Sequence, residues 1–363
     1  MVWKNPRSRS AKRTPEEIEN AILSWRKELA ENRDDYPLGE IGAAAIARKM
    51  APRYGKKTPS IRTITRVLKR HGALDYRVKV RYPAPPHGWY LLDLATQRAE
   101  LDSFDFVEDL ALPGGILVQV FSGVSVWGHV VSSFPLARST AENVVKGLIE
   151  RWRKHGLPDY AQFDNGLPFA GPPLPDAVGQ VVWLCWSLGV VPVFAPPRRF
   201  GFQSQVEGYN RRWQEAVWRK EFGFTTLADV RKQSAKFVAE YLREHAVPPS
   251  SAPSRRPFPA DWQWPLTARP HGKIIFLRYL NERGEASVLG HSWSVSAAHA
   301  HRLVIGETDA ANSLLTFHLL RRRAPSERQW LKEFSYRFPD RGWTTPTATT
   351  TKKRGANTTK KSR

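Results

Sequence analysis

The sequence predicts a multidomain α/β protein, and three observations support this fold class. Helical spacing of apolar residues dominates 14–72, strand-like and helical patterns alternate over 95–247, and short strand-like runs follow one another over 271–322. The 363 residues are enough for two or three domains, and the 41 % of hydrophobic residues can fill their cores. We therefore expect three folded regions, joined by linkers at 73–94 and 248–270.

The chain is strongly basic, with 56 Lys and Arg against 34 Asp and Glu and a formal net charge of +22. This charge favours a polyanionic partner, and double-stranded DNA is the leading candidate because each phosphate contact releases counterions. RNA or an anionic membrane surface stays open as an alternative. No apolar run approaches the roughly 20 residues of a spanning helix, and the first residues lack the apolar segment of a signal peptide.

The cysteine content limits which crosslinks and metal sites the chain can form. Cys185 is the only cysteine and lies in an apolar run, where a small core residue is expected. A single cysteine excludes an intramolecular disulfide and any zinc site built on a cysteine pair, so we expect no structural zinc. The sequence thus favours a cytoplasmic, nucleoid-associated location.

The N-terminal region predicts three short helices after a basic arm at 1–13, which either contacts phosphate or is a solvated tail. Thr14 is a candidate cap for the first helix, which Pro15 and Glu17 support. The second helix is expected at about 38–50. The third follows Ser60 and stops at Gly72.

The third helix is basic, which predicts a helix-turn-helix DNA-binding domain over 14–72. A purely structural basic bundle is the alternative. The side chains expected to face DNA are Ser60, Arg62, Thr63, Arg66 and Arg70.

Acidic residues stand at three places in the central region. Asp164 follows the strand-like run 160–163 and precedes the turn signal Asn165-Gly166. Asp102 lies in an earlier strand, with Asp105 three residues further on. Glu207 lies near the start of a helix, where it could equally complete a capping box with Ser204.

These motifs resemble the Asp-Asp-Glu core of retroviral-type integrases and related insertion-sequence transposases over roughly 95–245. The similar phrases are Glu-Leu-Asp, Phe-Asp-Asn-Gly-x-x-Phe and Gln-Ser-Gln-Val-Glu-x-x-Asn. The resemblance implies a ribonuclease-H-like mixed sheet flanked by helices. It assigns the catalytic and metal-binding acids to Asp102, Asp164 and Glu207, with Asp102 preferred over Asp105 because Glu-Leu-Asp matches the family's strand better. Supporting roles fall to Asn165 and Asn210.

Three carboxylates suit this chemistry. Attack on a DNA phosphodiester can use two Mg²⁺ ions roughly 3.5–4 Å apart, and Mg²⁺ prefers carboxylate oxygens. The resemblance therefore implies a transposase that cleaves DNA and joins 3′-hydroxyl ends with two Mg²⁺ or Mn²⁺ ions, acting on transposon ends and target as at least a dimer. Arg211 and Arg212 either follow the DNA backbone or are solvated. A non-catalytic DNA-binding regulator and a ribonuclease-H-like nuclease are the alternatives.

The C-terminal part changes character. Residues 248–270 are rich in proline and serine, as in a linker. Five closely spaced strand-like runs over 271–322 predict a small β-barrel, in the position of the C-terminal barrel of integrases and some transposases. Residues 323–363 are predicted to be a basic tail, partly disordered.

Overall fold

A computed structural model describes residues 14–36, 39–74, 88–172, 174–197, 201–219, 223–264, 270–322 and 324–339. The predicted basic arm at 1–13, most of the first linker and the tail beyond 339 lie outside the described residues. Over the described ranges the chain forms a helical bundle and a large mixed α/β unit. No helix in these ranges is long and apolar enough to cross a membrane.

The N-terminal bundle contains helices α1 (Glu16–Glu31), α2 (Ala43–Tyr54) and α3 (Ile61–Arg70). Ser60 caps α3, because its hydroxyl accepts from the Thr63 amide at 3.2 Å and bonds to the Thr63 hydroxyl at 3.0 Å. The apolar faces of the three helices meet in one core, formed by Ile22, Leu29, Ala45, Ile46, Met50, Ile64, Val67 and Leu68.

The α/β unit contains eleven strands within the described residues. They are β1 (Leu101–Leu112), β2 (Ile116–Ser125), β3 (Val131–Leu136), β4 (Tyr160–Phe163), β5 (Val191–Phe194), β6 (Lys273–Tyr279), β7 (Glu285–Val288), β8 (His291–Ser294), β9 (Leu303–Asp309), β10 (Leu314–Leu319) and β11 (Gln329–Ser335). Among these described strands, nine form one mixed sheet in the order β11-β10-β9-β6-β5-β4-β1-β2-β3, and β7 pairs with β8 in a second, two-stranded sheet.

Helices cover both faces of this sheet. They are α4 (Leu92–Ala95), α5 (Ala141–His155), α6 (Leu167–Ala170), α7 (Gln180–Ser187), α8 (Ser204–Trp213), continued by a π-helical turn, and α9 (Leu227–Glu244). Helices α5 and α7 pack on one face with Phe104 and Phe163, whereas α8 and α9 pack on the other with Val107 and Val120. The sheet is therefore a central layer between two helical layers.

The predicted C-terminal barrel is wrong. Strand β6 pairs in parallel with β5, with Val193 opposite Ile275 and Phe194 opposite Phe276, and β9, β10 and β11 continue the same sheet. The five middle residues of β6 are all buried, which is typical of a strand covered on both faces. Strand β11 also falls inside the predicted tail, so ordered structure extends to 335.

The bundle contacts the α8–α9 side of the unit through ion pairs. Arg33 pairs with Glu215 at 3.2 Å, and Arg48 pairs with Glu244 at 2.6 Å. These pairs are partly exposed, so each contributes little stability and is weakened by salt.

Candidate active site

Two of the acidic side chains are brought together by adjacent parallel strands. Strands β1 and β4 pair in parallel, with Asp102 opposite Ala161 and Ser103 opposite Gln162. Continuing this register by two residues sets Asp105 opposite Asp164, just past the end of β4. Side chains alternate between the two faces of a sheet, so both carboxylates project toward the face covered by α8.

Helix α8 brings the third acid to the same face. The side chain of Gln203, the residue just before the helix, donates to the Phe104 carbonyl at 2.8 Å. Val206, in the first turn of α8, is fully buried against the sheet. Asn210 donates to Asp105 Oδ2 at 3.0 Å. Glu207 lies three residues before Asn210, and residues with this spacing share one side of a helix.

Glu207 is not part of a helix cap. The residue at the cap position of α8 is Gln203, and it makes no side-chain cap hydrogen bond. The predicted capping box between Ser204 and Glu207 is therefore wrong. The Glu207 side chain is exposed, which leaves its carboxylate open to ligands.

The carboxylates influence one another electrostatically. Burial raises the pKa of Asp105 to about 6, and the negative charges of Asp164 and Glu207 add to the rise, against hydrogen bonds from the Phe106 amide and Asn210. Burial also raises the pKa of Asp164, against the hydrogen bond from the Gly166 amide. A divalent cation would relieve this repulsion.

Asp102, the preferred first carboxylate, has a different environment. It is fully buried and accepts hydrogen bonds from Arg151 at 3.0 Å, from Arg255 at 2.8 and 2.9 Å, and from Trp152 Nε1 at 3.2 Å. Despite burial, the two guanidinium groups hold the pKa of Asp102 well below its usual range. Its oxygens are occupied by the protein, so the preference for Asp102 over Asp105 is corrected.

Strand periodicity explains the correction. Asp102 and Asp105 are three residues apart, so they project from opposite faces of β1. Asp102 shares a face with Phe104, which packs with α5, whereas Asp105 shares a face with Val107, which packs with α8. This alternation is visible in the sequence, but choosing the face requires knowing where Glu207 lies.

The turn after Asp164 is held on both sides. Asp164 Oδ1 accepts from the Gly166 amide at 2.8 Å, and Asn165 Nδ2 donates to the Ala195 carbonyl at 2.7 Å. Arg278 of β6 donates to Asn165 Oδ1 at 2.7 Å. Sequence reasoning missed Arg278, because the strand that carries it was assigned to a separate domain.

The bundle arginines expected to contact DNA differ in their surroundings. Arg62 and Arg66 are exposed on α3. Arg70 forms an ion pair with the buried carboxylate of Glu19 on α1. Its charge is therefore partly neutralised within the bundle, and Arg62 and Arg66 are the better candidates for phosphate contacts.

The two arginines of α8 also differ. Arg211 is exposed. Arg212 lies 3.5 Å from Glu40 of the bundle and donates to the Tyr241 hydroxyl at 3.1 Å. Arg212 therefore contributes to the contact between the bundle and α8–α9.

The carboxylate groups on this face of the sheet could bind a hard cation. As they stand, the described residues contain no group of three His, Cys, Asp or Glu side chains close enough to hold one metal ion. Carboxylate oxygens of Asp105, Asp164 and Glu207 are the ligands that Mg²⁺ and Mn²⁺ prefer. Beside Asp105, the Oδ1 atom of Asn210 is buried and has no hydrogen-bond partner among the described residues. An orphaned acceptor next to mutually repelling carboxylates fits a site that gains a metal and its bound water.

No protein-family profile and no curated protein matches the chain significantly. Among solved structures, a chain of a simian T-cell lymphotropic virus intasome in complex with PP2A regulatory subunit B56 gamma is 13 % identical, with a TM-score of 0.36, covering 80 % of this chain and 92 % of that one. The catalytic core domain of BIV integrase is 15 % identical with a TM-score of 0.30, covering 42 % and 89 %. The HTLV-2 integrase catalytic core domain in complex with magnesium is 13 % identical with a TM-score of 0.32, covering 48 % and 96 %.

Proposed function

We propose that this protein is a metal-dependent DNA transposase or integrase that cleaves DNA strands and transfers 3′-hydroxyl ends to target DNA. The observation that carries the proposal is the register of β1 and β4, which sets Asp105 opposite Asp164, on the face that carries Glu207. The motifs around Asp164 and Glu207 add the resemblance described above. The basic composition supplies affinity for DNA.

The three acidic residues share one role in this proposal, and neighbouring groups orient them. Asp105, Asp164 and Glu207 would hold two Mg²⁺ or Mn²⁺ ions, which when bound supply a deprotonated nucleophile and stabilise the leaving oxygen. Asn210 orients Asp105 through its 3.0 Å hydrogen bond. The Gly166 amide fixes Oδ1 of Asp164, and Oδ2 accepts no hydrogen bond from the described residues. Strand β1 carries Asp105 and helix α8 carries Glu207, and such elements hold ligands more rigidly than loops, whereas Asp164 lies in the turn just after β4.

DNA binding involves both parts of the protein. Exposed Arg62 and Arg66 of α3 would bind transposon ends as a helix-turn-helix, and Arg211 of α8 would contact the backbone near the scissile phosphate. The resemblance implies at least a dimer, which would bring two DNA ends together in the nucleoid.

The test is a strand-joining reaction. A labelled duplex oligonucleotide with a free 3′-hydroxyl is incubated with supercoiled plasmid, Mg²⁺ or Mn²⁺, and the full chain. Joining should attach the label covalently to nicked or linear plasmid. Glu207→Gln should lower the joining rate at least ~100-fold, because removing a charged ligand impairs transition-state stabilisation. Glu215→Gln, on the turn that continues α8, is the matched control and should keep the wild-type rate.

The outcomes separate the alternatives. Nicking without joining identifies a nuclease, and DNA binding without either reaction identifies a regulator. Unchanged joining by Glu207→Gln rules out the proposed site.

A further inference from the structure

Strand β6 places a buried arginine beside the turn that carries Asp164. Arg278 is 8 % exposed. It donates to the Ser287 carbonyl at 2.9 Å, to the Ala195 carbonyl at 3.2 Å and to Asn165 Oδ1 at 2.7 Å. Arg278 thereby links β5, the β7 strand and the turn after β4.

Among the residues that the structure describes, no acid neutralises the charge of Arg278. In the described part of the chain, its hydrogen-bond acceptors are backbone carbonyls and one side-chain amide. Burial lowers its pKa to about 10, so the guanidinium stays cationic at neutral pH. Burying a cation without a carboxylate partner lowers the stability of the fold. In return, the charge-assisted hydrogen bonds of the guanidinium hold their acceptors more firmly than neutral hydrogen bonds would.

The acceptor that concerns the site is Asn165. Its Oδ1 atom accepts a hydrogen bond from Arg278, and its Nδ2 atom donates one to the Ala195 carbonyl. An open cleft of about 570 Å³ borders Asn165, Leu167 and Arg278, so the turn has little packing on that side. These two hydrogen bonds therefore hold the turn on the side of the cleft, and Asp164 is the residue immediately before Asn165.

We propose that Arg278 is a positioning residue for the Asp164 carboxylate, acting through Asn165. This inference rests on the proposed function and extends it, because it makes the C-terminal half of the sheet part of the active-site support. Arg278 lies outside the region over which the integrase resemblance extends.

The experiment uses the full chain and measures Mn²⁺ binding directly, by the electron paramagnetic resonance signal of free Mn²⁺. Arg278→Met should weaken Mn²⁺ binding roughly 10-fold or more, the usual effect of removing a residue that orients a metal ligand. Arg278→Lys keeps the charge but loses the fork geometry, and should fall between wild type and Arg278→Met. Amide hydrogen exchange at Gly166 should quicken in both variants without metal.

Two further variants test whether Arg278 acts on Asp164 through Asn165. Asn165→Ala should weaken Mn²⁺ binding as Arg278→Met does, and combining the two should add little, because both remove the same link. Arg256→Met is the matched control. Arg256 also donates only to carbonyls in the described residues, those of Leu188 and Gly189, but lies away from the turn. Its loss should leave Mn²⁺ affinity unchanged.

The failure of each claim is distinguishable. If the wild-type chain binds Mn²⁺ and joins strands while folded Arg278→Met binds Mn²⁺ equally well, the positioning role is refuted. If the wild-type chain neither binds Mn²⁺ nor joins strands, the proposed function fails first. Should Arg278→Met not fold, Arg278→Lys and Asn165→Ala decide in the same way.

Discussion

Asp102 and Asp105 lie three residues apart on β1, and the structure predicts opposite consequences for replacing them. Asp102→Asn removes a fully buried carboxylate that neutralises Arg151 and Arg255. Asp105→Asn removes a carboxylate whose ionisation is disfavoured by burial and by its acidic neighbours, and the new amide oxygen can still accept from Asn210.

The magnitudes follow from these environments. Breaking a buried ion pair by removing one partner costs about 3–5 kcal/mol, because the remaining charge is left uncompensated. In a domain of ordinary size this lowers the melting temperature by roughly 6–20 °C. Asp105→Asn should leave the melting temperature unchanged or raise it, while joining activity should fall at least ~100-fold, the size expected for loss of a charged catalytic group.

The loss of stability in Asp102→Asn depends on pH. The folded state lowers the pKa of Asp102, so its contribution to stability is fully present above the unfolded pKa of about 3.9 and is lost as the pH falls below that value. The stability difference between wild type and Asp102→Asn should therefore be complete at pH 7 and shrink in acid.

The assay pairs thermal unfolding with strand joining for three variants. The third is Asp109→Asn, an exposed position of β1 with a φ of 60°, which asparagine tolerates. It should behave as wild type in both measurements. Full stability in Asp102→Asn, or wild-type joining by Asp105→Asn, would refute the assignment of the two residues to opposite faces and roles.

Three further results are expected. Gly166→Ala should impair Mn²⁺ binding, because the new Cβ would lie 2.9 Å from Asp164 Oδ1. The control is Gly208→Ala on α8, where the new Cβ meets open space and the substitution should raise the melting temperature slightly. Since the pKa of Asp105 is about 6, Mn²⁺ affinity should rise as the pH increases through 6, and Asp105→Asn should lack that component in titrations from pH 5 to 7.5. Arg66→Ala should weaken DNA binding at all sequences and lower the slope of log affinity against log salt by about 0.9, measured by fluorescence anisotropy; an unchanged slope would remove this exposed arginine from the interface.

The local structure around Asp164 in the candidate site could be predicted from the sequence because its signals are local. The apolar run before Asp164 and the Asn-Gly pair after it predict a strand end and a turn, and both are present. The choice between Asp102 and Asp105 could not be made locally, since both residues fit the same strand. It depends on which face α8 covers, and Glu207 is more than 100 positions away in the chain.

The barrel prediction failed for a related reason. Short apolar runs predict strands, but the partner of a strand is set by long-range contacts. Residues 273–279 fit a barrel strand as well as an interior strand, and the pairing of Val193 with Ile275 has no local signal. The buried Arg278 in this run was a usable hint, since an arginine among apolar residues requires acceptors from elsewhere.

The continuous sheet has a practical consequence for anyone expressing part of this protein. A fragment ending near residue 247, where the sequence predicts the end of the central region, leaves β5 as an unpaired edge strand and uncovers Phe194, whose ring stacks on Phe276 in the intact sheet. It also lacks Arg255, so the carboxylate of Asp102 keeps one counterion instead of two. Such a fragment should precipitate or associate through its unpaired strand edge. A fragment that extends beyond residue 339 keeps the sheet whole.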